Sequence, residues 1–264
     1  MKIFLLPLFI IISFVATAQI GGLSSSKLSS ISADVVDNEN VEFEPGFSSS
    51  RSNKFFDGNG DTQNMFSTAD SVKHLTGMAF RFTYGLWDKL EVGVSVSTDL
   101  SLIKIGTKYE FINNEKLAVA AIAGLNVPMG NATIDNTVRA TANVTQAGLG
   151  FVASYVFTDR LSADFTTQYM IFIKPTIDNN TGGIYLNGDV GYYFFDNRFK
   201  LVTGFGFYNV KNDVGNHQVF TMYPGFTIES GKDYFIACSV PFDVFGKNEA
   251  QNVAVNFTLT LTFR

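Results

Sequence analysis

Val253-Ala254-Val255-Asn256-Phe257-Thr258-Leu259-Thr260-Leu261-Thr262-Phe263 alternates large apolar side chains with small or polar ones without a break. A β-strand points successive side chains to opposite faces, so this stretch has one greasy face and one polar face. The same pattern sets Leu90, Val92, Val94 and Val96 against Glu91, Gly93, Ser95 and Ser97. It recurs as Leu161, Ala163, Phe165, Tyr169, Ile171 and Ile173 against Ser162, Asp164, Thr166, Gln168 and Lys174. Helical spacing is nearly absent.

Working outward, the alternation predicts strands near 41–49, 74–87, 89–98, 101–112, 116–129, 144–157, 160–174, 183–195, 198–211, 217–229, 233–242 and 252–263. Polar clusters separate them, and their lengths alternate. Short turns fall at Trp87-Asp88-Lys89, Asn113-Asn114-Glu115, Thr158-Asp159-Arg160, Asp196-Asn197-Arg198 and Ser230-Gly231-Lys232. Longer connections fall near 50–73, 130–143, 175–182, 212–216 and 243–251, the tight link near Asp99 excepted. With an even strand count this parity puts every short turn at one end, as in transmembrane barrels. The predicted fold is therefore all-β: a transmembrane, antiparallel, up-and-down β-barrel of about twelve strands.

Composition agrees. Apolar residues make up 46% of the chain and aromatics 14%, with 27 Phe and 10 Tyr, yet no segment after the leader has the roughly 20 apolar residues of a spanning helix. Backbone facing lipid must be fully hydrogen-bonded, which a closed barrel achieves. Lys2, the apolar run Ile3 to Val15, and Ala16-Thr17-Ala18 before Gln19 read as a signal peptide over 1–18, cleaved near Ala18. Residues 19–40, with Gly21-Gly22, Ser24-Ser25-Ser26 and Ser29-Ser30, read as a flexible periplasmic lead-in; a sharper reading folds them back into the pore as a plug. The barrel is then 41–264, and the expected location is the outer membrane of a Gram-negative envelope.

A Lys or Arg facing lipid near the midplane costs about 2–4 kcal/mol, so charged residues within strands must look inward. The candidates for lining the lumen are Arg81, Glu91, Lys104, Lys108, Glu110, Asp164, Lys174, Asp189 and Lys200, with Glu42 and Glu44 on the same face. Gly77, Gly85, Gly93, Gly106, Gly124, Gly148, Gly150, Gly188, Gly191, Gly204 and Gly206 lie inside strand segments, many of them on that face, where they would leave room for bends or a passage. Pro128, Pro175, Pro224 and Pro241 suggest bulges or lateral gaps in the wall. Tyr84, Trp87, Phe157, Tyr192, Phe194 and Phe263 border the short turns, as an interfacial aromatic girdle would.

Little points to chemistry. The net charge of −5 and the lack of a Lys/Arg cluster argue against a nucleic-acid partner. Cys238 is the only cysteine, which excludes an internal disulfide. His74 and His217 sit near strand ends without a nucleophile or metal motif beside them, so no catalytic residue, cofactor or metal is assigned. Asp57-Gly58-Asn59-Gly60-Asp61 resembles a calcium-loop fragment that lacks its later Glu.

The stretch Phe80-Arg81-Phe82-Thr83-Tyr84-Gly85-Leu86-Trp87-Asp88-Lys89-Leu90-Glu91-Val92-Gly93-Val94 resembles the signature hairpin of the outer-membrane transporter family named for the meta-pathway of phenol degradation, the MetA-type β-barrels. That resemblance implies a passive transporter for small, often hydrophobic solutes. It departs in ending on Phe263-Arg264 rather than on the terminal aromatic of barrel-assembly signals. The expected partners are outer-membrane lipid, a small solute and the barrel-assembly machinery. A non-conducting structural or interaction barrel is the alternative, and an outer-membrane hydrolase comes third.

Overall fold

The computed structural model describes residues 19–68, 71–129, 145–173, 182–194, 198–211, 215–230 and 234–264. The leader, residues 1–18, lies outside them, as does Lys174. Fourteen strands follow in order: β1 (Val41–Phe56), β2 (Thr62–Asn64), β3 (Lys73–Trp87), β4 (Leu90–Ser97), β5 (Leu102–Asn113), β6 (Leu117–Pro128), β7 (Gln146–Thr158), β8 (Leu161–Phe172), β9 (Gly182–Phe194), β10 (Phe199–Lys211), β11 (Asn216–Ser230), β12 (Tyr234–Ser239), β13 (Phe242–Lys247) and β14 (Glu249–Phe263). From β3 to β11 consecutive strands pair antiparallel, β3 also pairs with β1, and β14 closes the ring on β1 with Val41 opposite Phe263. β12 and β13 share one wall position between β11 and β14, and β2 is a short addition on β1. The wall is thus a closed twelve-strand antiparallel barrel with two extra strands.

Alternation fixes which side chains face outward. Leu149, Phe151, Phe165, Tyr169, Ile171, Leu201, Val255 and Phe257 are exposed on the outer face, while their neighbours Val152, Thr166, Gln168 and Val202 are at most 1% exposed inside. The aromatics beside the short turns are outward too. Tyr155 packs edge-on against Phe157 at 4.8 Å and Tyr192 against Phe194 at 4.9 Å, with Trp87 and Phe263 exposed nearby.

Two connections differ from the sequence reading. β1 continues to Phe56 rather than stopping near 49, so part of the expected 50–73 loop is wall. The expected loop 243–251 is mostly strand: β13 runs to Lys247, and Asn248, at φ 53°, makes a tight turn into β14. Pro241, which has no N–H to give a ladder, interrupts the alternation there and hides the continuation.

Residues 19–40, read first as a lead-in outside the barrel and in the sharper alternative as a plug, lie in the bore. Ile20, Leu23, Lys27, Ser30, Ala33 and Val36 are at most 7% exposed, and the segment winds through the bore. Ile20, Leu23, Ile31 and Ala33 form one apolar cluster with Ala118, Ala120, Ile122, Val152, Met170, Phe172, Tyr185 and Val210. An eight-strand wall is filled by its own side chains, and in this wider one a stretch of main chain takes up part of the bore.

Candidate functional site

The site is the bore, built from inward wall residues and the segment that occupies it. Three wall carboxylates hold that segment. Asp189 on β9 accepts the backbone N–H of Leu28, Ser29 and Ser30 at 3.1, 2.7 and 2.7 Å, and the hydroxyls of Ser29 and Ser30. Glu91 on β4 accepts Ser24 N–H at 2.9 Å, Ser24 Oγ–H at 2.7 Å and Val36 N–H at 2.9 Å. Asp164 on β8 accepts Ser26 Oγ–H and pairs with Lys27 Nζ, both at 2.8 Å. Carboxylates only accept hydrogen bonds when ionised, so a serine-rich segment with free N–H groups is their natural complement.

Lys108 on β5 completes the clasp at Glu91. Its ammonium lies 3.1 Å from Glu91 Oε1 and donates to Ser24 Oγ at 2.7 Å and to the Ser32 carbonyl at 2.8 Å, with both side chains fully buried. A buried charge pair holds together only when its remaining donors and acceptors are satisfied, as they are here through the segment. Lys200 on β10 pairs with Glu229 at 2.7 Å and lies over the Tyr193 ring at 4.4 Å. Glu110 on β5 is buried near a short turn and accepts Asn113 Nδ2–H at 2.8 Å.

Arg81 on β3 bridges to β1, with Nη1 3.1 Å from Glu42 and Nη2 2.7 Å from Glu44. Glu44 also accepts the Thr260 hydroxyl. Arg81 Nη1 donates to Thr83 Oγ1, which donates to the Gly22 carbonyl, both at 2.7 Å. Lys104 on β5 lies against Gly21 and lines a cavity of about 220 Å³ with Arg81 and Glu44. A second cavity of about 580 Å³ opens at the short-turn end, lined by residues including Asp34, Glu42, Asp164, Tyr193, Lys200 and Thr260.

The inward glycines have a different role from the expected passage. Gly93, Gly106, Gly124 and Gly148 lie directly opposite one another across β4, β5, β6 and β7. The segment crosses this row at Ile20, Gly21 and Gly22. A Cβ on Gly93 would fall 1.8 Å from the Gly22 carbonyl oxygen, and one on Gly124 would fall 2.5 Å from Ile20 Cγ2. The row is a seat in which main chain packs on main chain.

Around Pro224 and Pro241 the wall stays hydrogen-bonded, with Val240 N–H donating to Pro224 O at 2.9 Å and Ala254 N–H to Pro241 O at 2.8 Å. β13 then pairs with β14 only at Phe242 opposite Val253. Beyond that point the Asp243 carboxylate takes over, accepting Asn252 N–H at 2.8 Å, Asn252 Nδ2–H at 3.1 Å and the Thr221 hydroxyl at 2.6 Å. Pro128 ends β6, and Pro175 lies outside the described residues.

The two histidines lie on different strands, His217 on β11 and His74 on β3. His217 Nδ1 is 3.2 Å from Glu249, and His74 is exposed on β3. The Asp57 loop closes on itself, its carboxylate accepting Asn59 and Asp61 N–H and Gln63 Nε2–H. Among the described residues no group of three or more His, Cys, Asp or Glu could hold a metal ion. The residues that sequence reasoning missed are those outside the alternation: Lys27, the donors of residues 24–36, and Asp243.

This barrel is similar to solved outer-membrane channels. A channel from Pseudomonas putida F1 superposes with a TM-score of 0.70 at 12% identity, covering 88% of this chain and 98% of that one. The NanC porin superposes at 0.54 and 10% identity, covering 84% and 98%. No protein-family model and no curated protein matches the chain. The likeness is one of fold.

Proposed function

We propose that the chain is exported, cleaved after Ala18, and acts as a passive outer-membrane channel for small solutes without cofactor or energy source. The single observation that carries this reading is a closed wall, apolar outside, around a polar bore that its own N-terminal segment fills incompletely, leaving cavities of about 220 and 580 Å³. The apolar belt is solvated by outer-membrane lipid, and the closed sheet needs the barrel-assembly machinery to insert. The short turns face the periplasm and the long connections face outward. The sequence resemblance adds hydrophobic solutes as candidate cargo.

Arg81, Glu91, Lys104, Lys108, Glu110, Asp164, Asp189 and Lys200 line the lumen in this reading, and Lys174 belongs with them by its place in the alternation. The seated segment favours one other reading, a non-conducting interaction barrel, because it fills much of the bore. Reconstitution separates the two. Purified protein in planar bilayers and liposomes should give single-channel current and solute flux. Silence in both assays, from intact protein and from a variant lacking residues 19–38, leaves only the interaction barrel.

A further inference from the structure

The bore is filled unevenly. Between Ser24 and Ala33 the segment bonds to Glu91, Lys108, Ser154, Asp164, Thr166, Asp189 and the Phe205 carbonyl, all on β4 to β10. Side chains beneath it on that side, such as Glu91, Lys108, Val152 and Gln168, are at most 1% exposed.

The opposite side, β14, β1 and the far half of β3, is different. Midway along it the inward residues Asn256, Ser48, Gly46, Ala79 and Gly77 are small or polar, and Ser48 and Gly77 are exposed, whereas Ser52, Asn252 and Ala254 farther along are buried. A Cβ on Gly77 would meet nothing within 4 Å, which contrasts with the 1.8 Å overlap at Gly93. The cavity of about 220 Å³ lies on this side between the segment and Gly46, Ala79, Ser95 and Lys104. The larger vestibule reaches Glu42, Thr260 and Thr262 from the short-turn end. Between the two stands one side-chain bridge, Arg81 to Glu42 and Glu44, with Thr260 on Glu44.

We propose that small hydrophilic solutes and ions pass beside the plug, along the β14–β1–β3 wall, and that the Arg81 bridge is the narrowest point of that route. This rests on the channel reading and names hydrophilic solutes as its class, in place of the hydrophobic cargo that the sequence resemblance suggests. The inner cavity is below the roughly 300–1,000 Å³ of sites for drug-sized ligands, so the route suits smaller molecules. On the wall side its glycine and serine, Lys104 and the Arg81–Glu44 pair give water and hydrophilic solutes hydrogen-bond partners, while Ile20, Leu23, Leu28 and Ile31 of the plug line the other side, so the charged bridge is what disfavours apolar solutes.

The test places single cysteines in the slot. Gly77→Cys and Ala79→Cys are made in a Cys238→Ser background, with Val152→Cys beneath the plug as the comparison. The full exported chain is reconstituted and treated with a cationic, water-soluble methanethiosulfonate. Labelling is read by mass and current is read in planar bilayers. Gly77→Cys and Ala79→Cys should label in the folded barrel and at least halve the unitary current, while Val152→Cys stays unlabelled. Labelling that leaves an existing current unchanged, or no labelling at all, overturns the route but not the channel. Absence of current from the unlabelled Cys238→Ser protein overturns both.

Discussion

At the scale of the residue, Asp189 shows how much can rest on one inward carboxylate. It receives three main-chain N–H groups and two hydroxyls from Leu28, Ser29 and Ser30, and it is 1% exposed. Asp189→Asn keeps the shape but turns one acceptor into a donor that faces other donors. Leaving buried donors unmatched costs about 1–3 kcal/mol. We therefore expect a lower heat-unfolding midpoint and faster proteolysis within residues 19–38, both read in detergent, with the wall strands unaffected. Equal midpoints and equal proteolysis would mean that Asp189 does not anchor the segment. Period-two alternation was enough to turn Asp189, Glu91 and Lys108 inward in the sequence. The segment that met them there was legible only as the plug alternative, and its contacts were not, because serines that donate along an irregular main chain leave no periodic trace.

At the scale of the element, legibility followed regularity. β4, β8 and β14 alternate cleanly and lie close to their predicted bounds, and β14 begins a few residues early. The wall position shared by β12 and β13 was read only as far as residue 242, since Pro241 and the Phe242-Asp243-Val244-Phe245-Gly246 run break the period. In that stretch Asp243 does a ladder's work: its carboxylate joins Asn252 on β14 to Thr221 on β11, and it is 4% exposed. Asp243→Ala removes the acceptor and leaves the Asn252 N–H and amide without it. The expected loss is about 1–3 kcal/mol, concentrated at the β13–β14 seam. Hydrogen exchange should rise at Asn252 and Ala254 ahead of residues on β7 and β8. Uniform exchange across the barrel would show that the seam is no weaker than the rest of the wall.

At the scale of the whole molecule, wall and plug solve one problem between them. An eight-strand barrel is filled by its own side chains and a sixteen-strand barrel holds open water, and twelve strands fall between. The extra width is taken up by residues 19–38, whose apolar side chains complete a cluster with β6 to β10 and whose donors meet Glu91, Asp164 and Asp189. The glycine row could be read equally as a passage or as a seat, since sequence shows a missing side chain but not what occupies its place. Deleting residues 19–38 returns that volume to water and leaves three acidic groups facing it. Single-channel current should then rise several-fold over the intact barrel. It should also shift toward cations, as the exposed carboxylates outnumber Lys108, the one base in these clasps that belongs to the wall. The matched measurement is reversal potential in a salt gradient, on intact and shortened protein folded in the same lipid. Unchanged current with unchanged selectivity, from a variant still resistant to unfolding in detergent, would mean that the segment does not limit the bore.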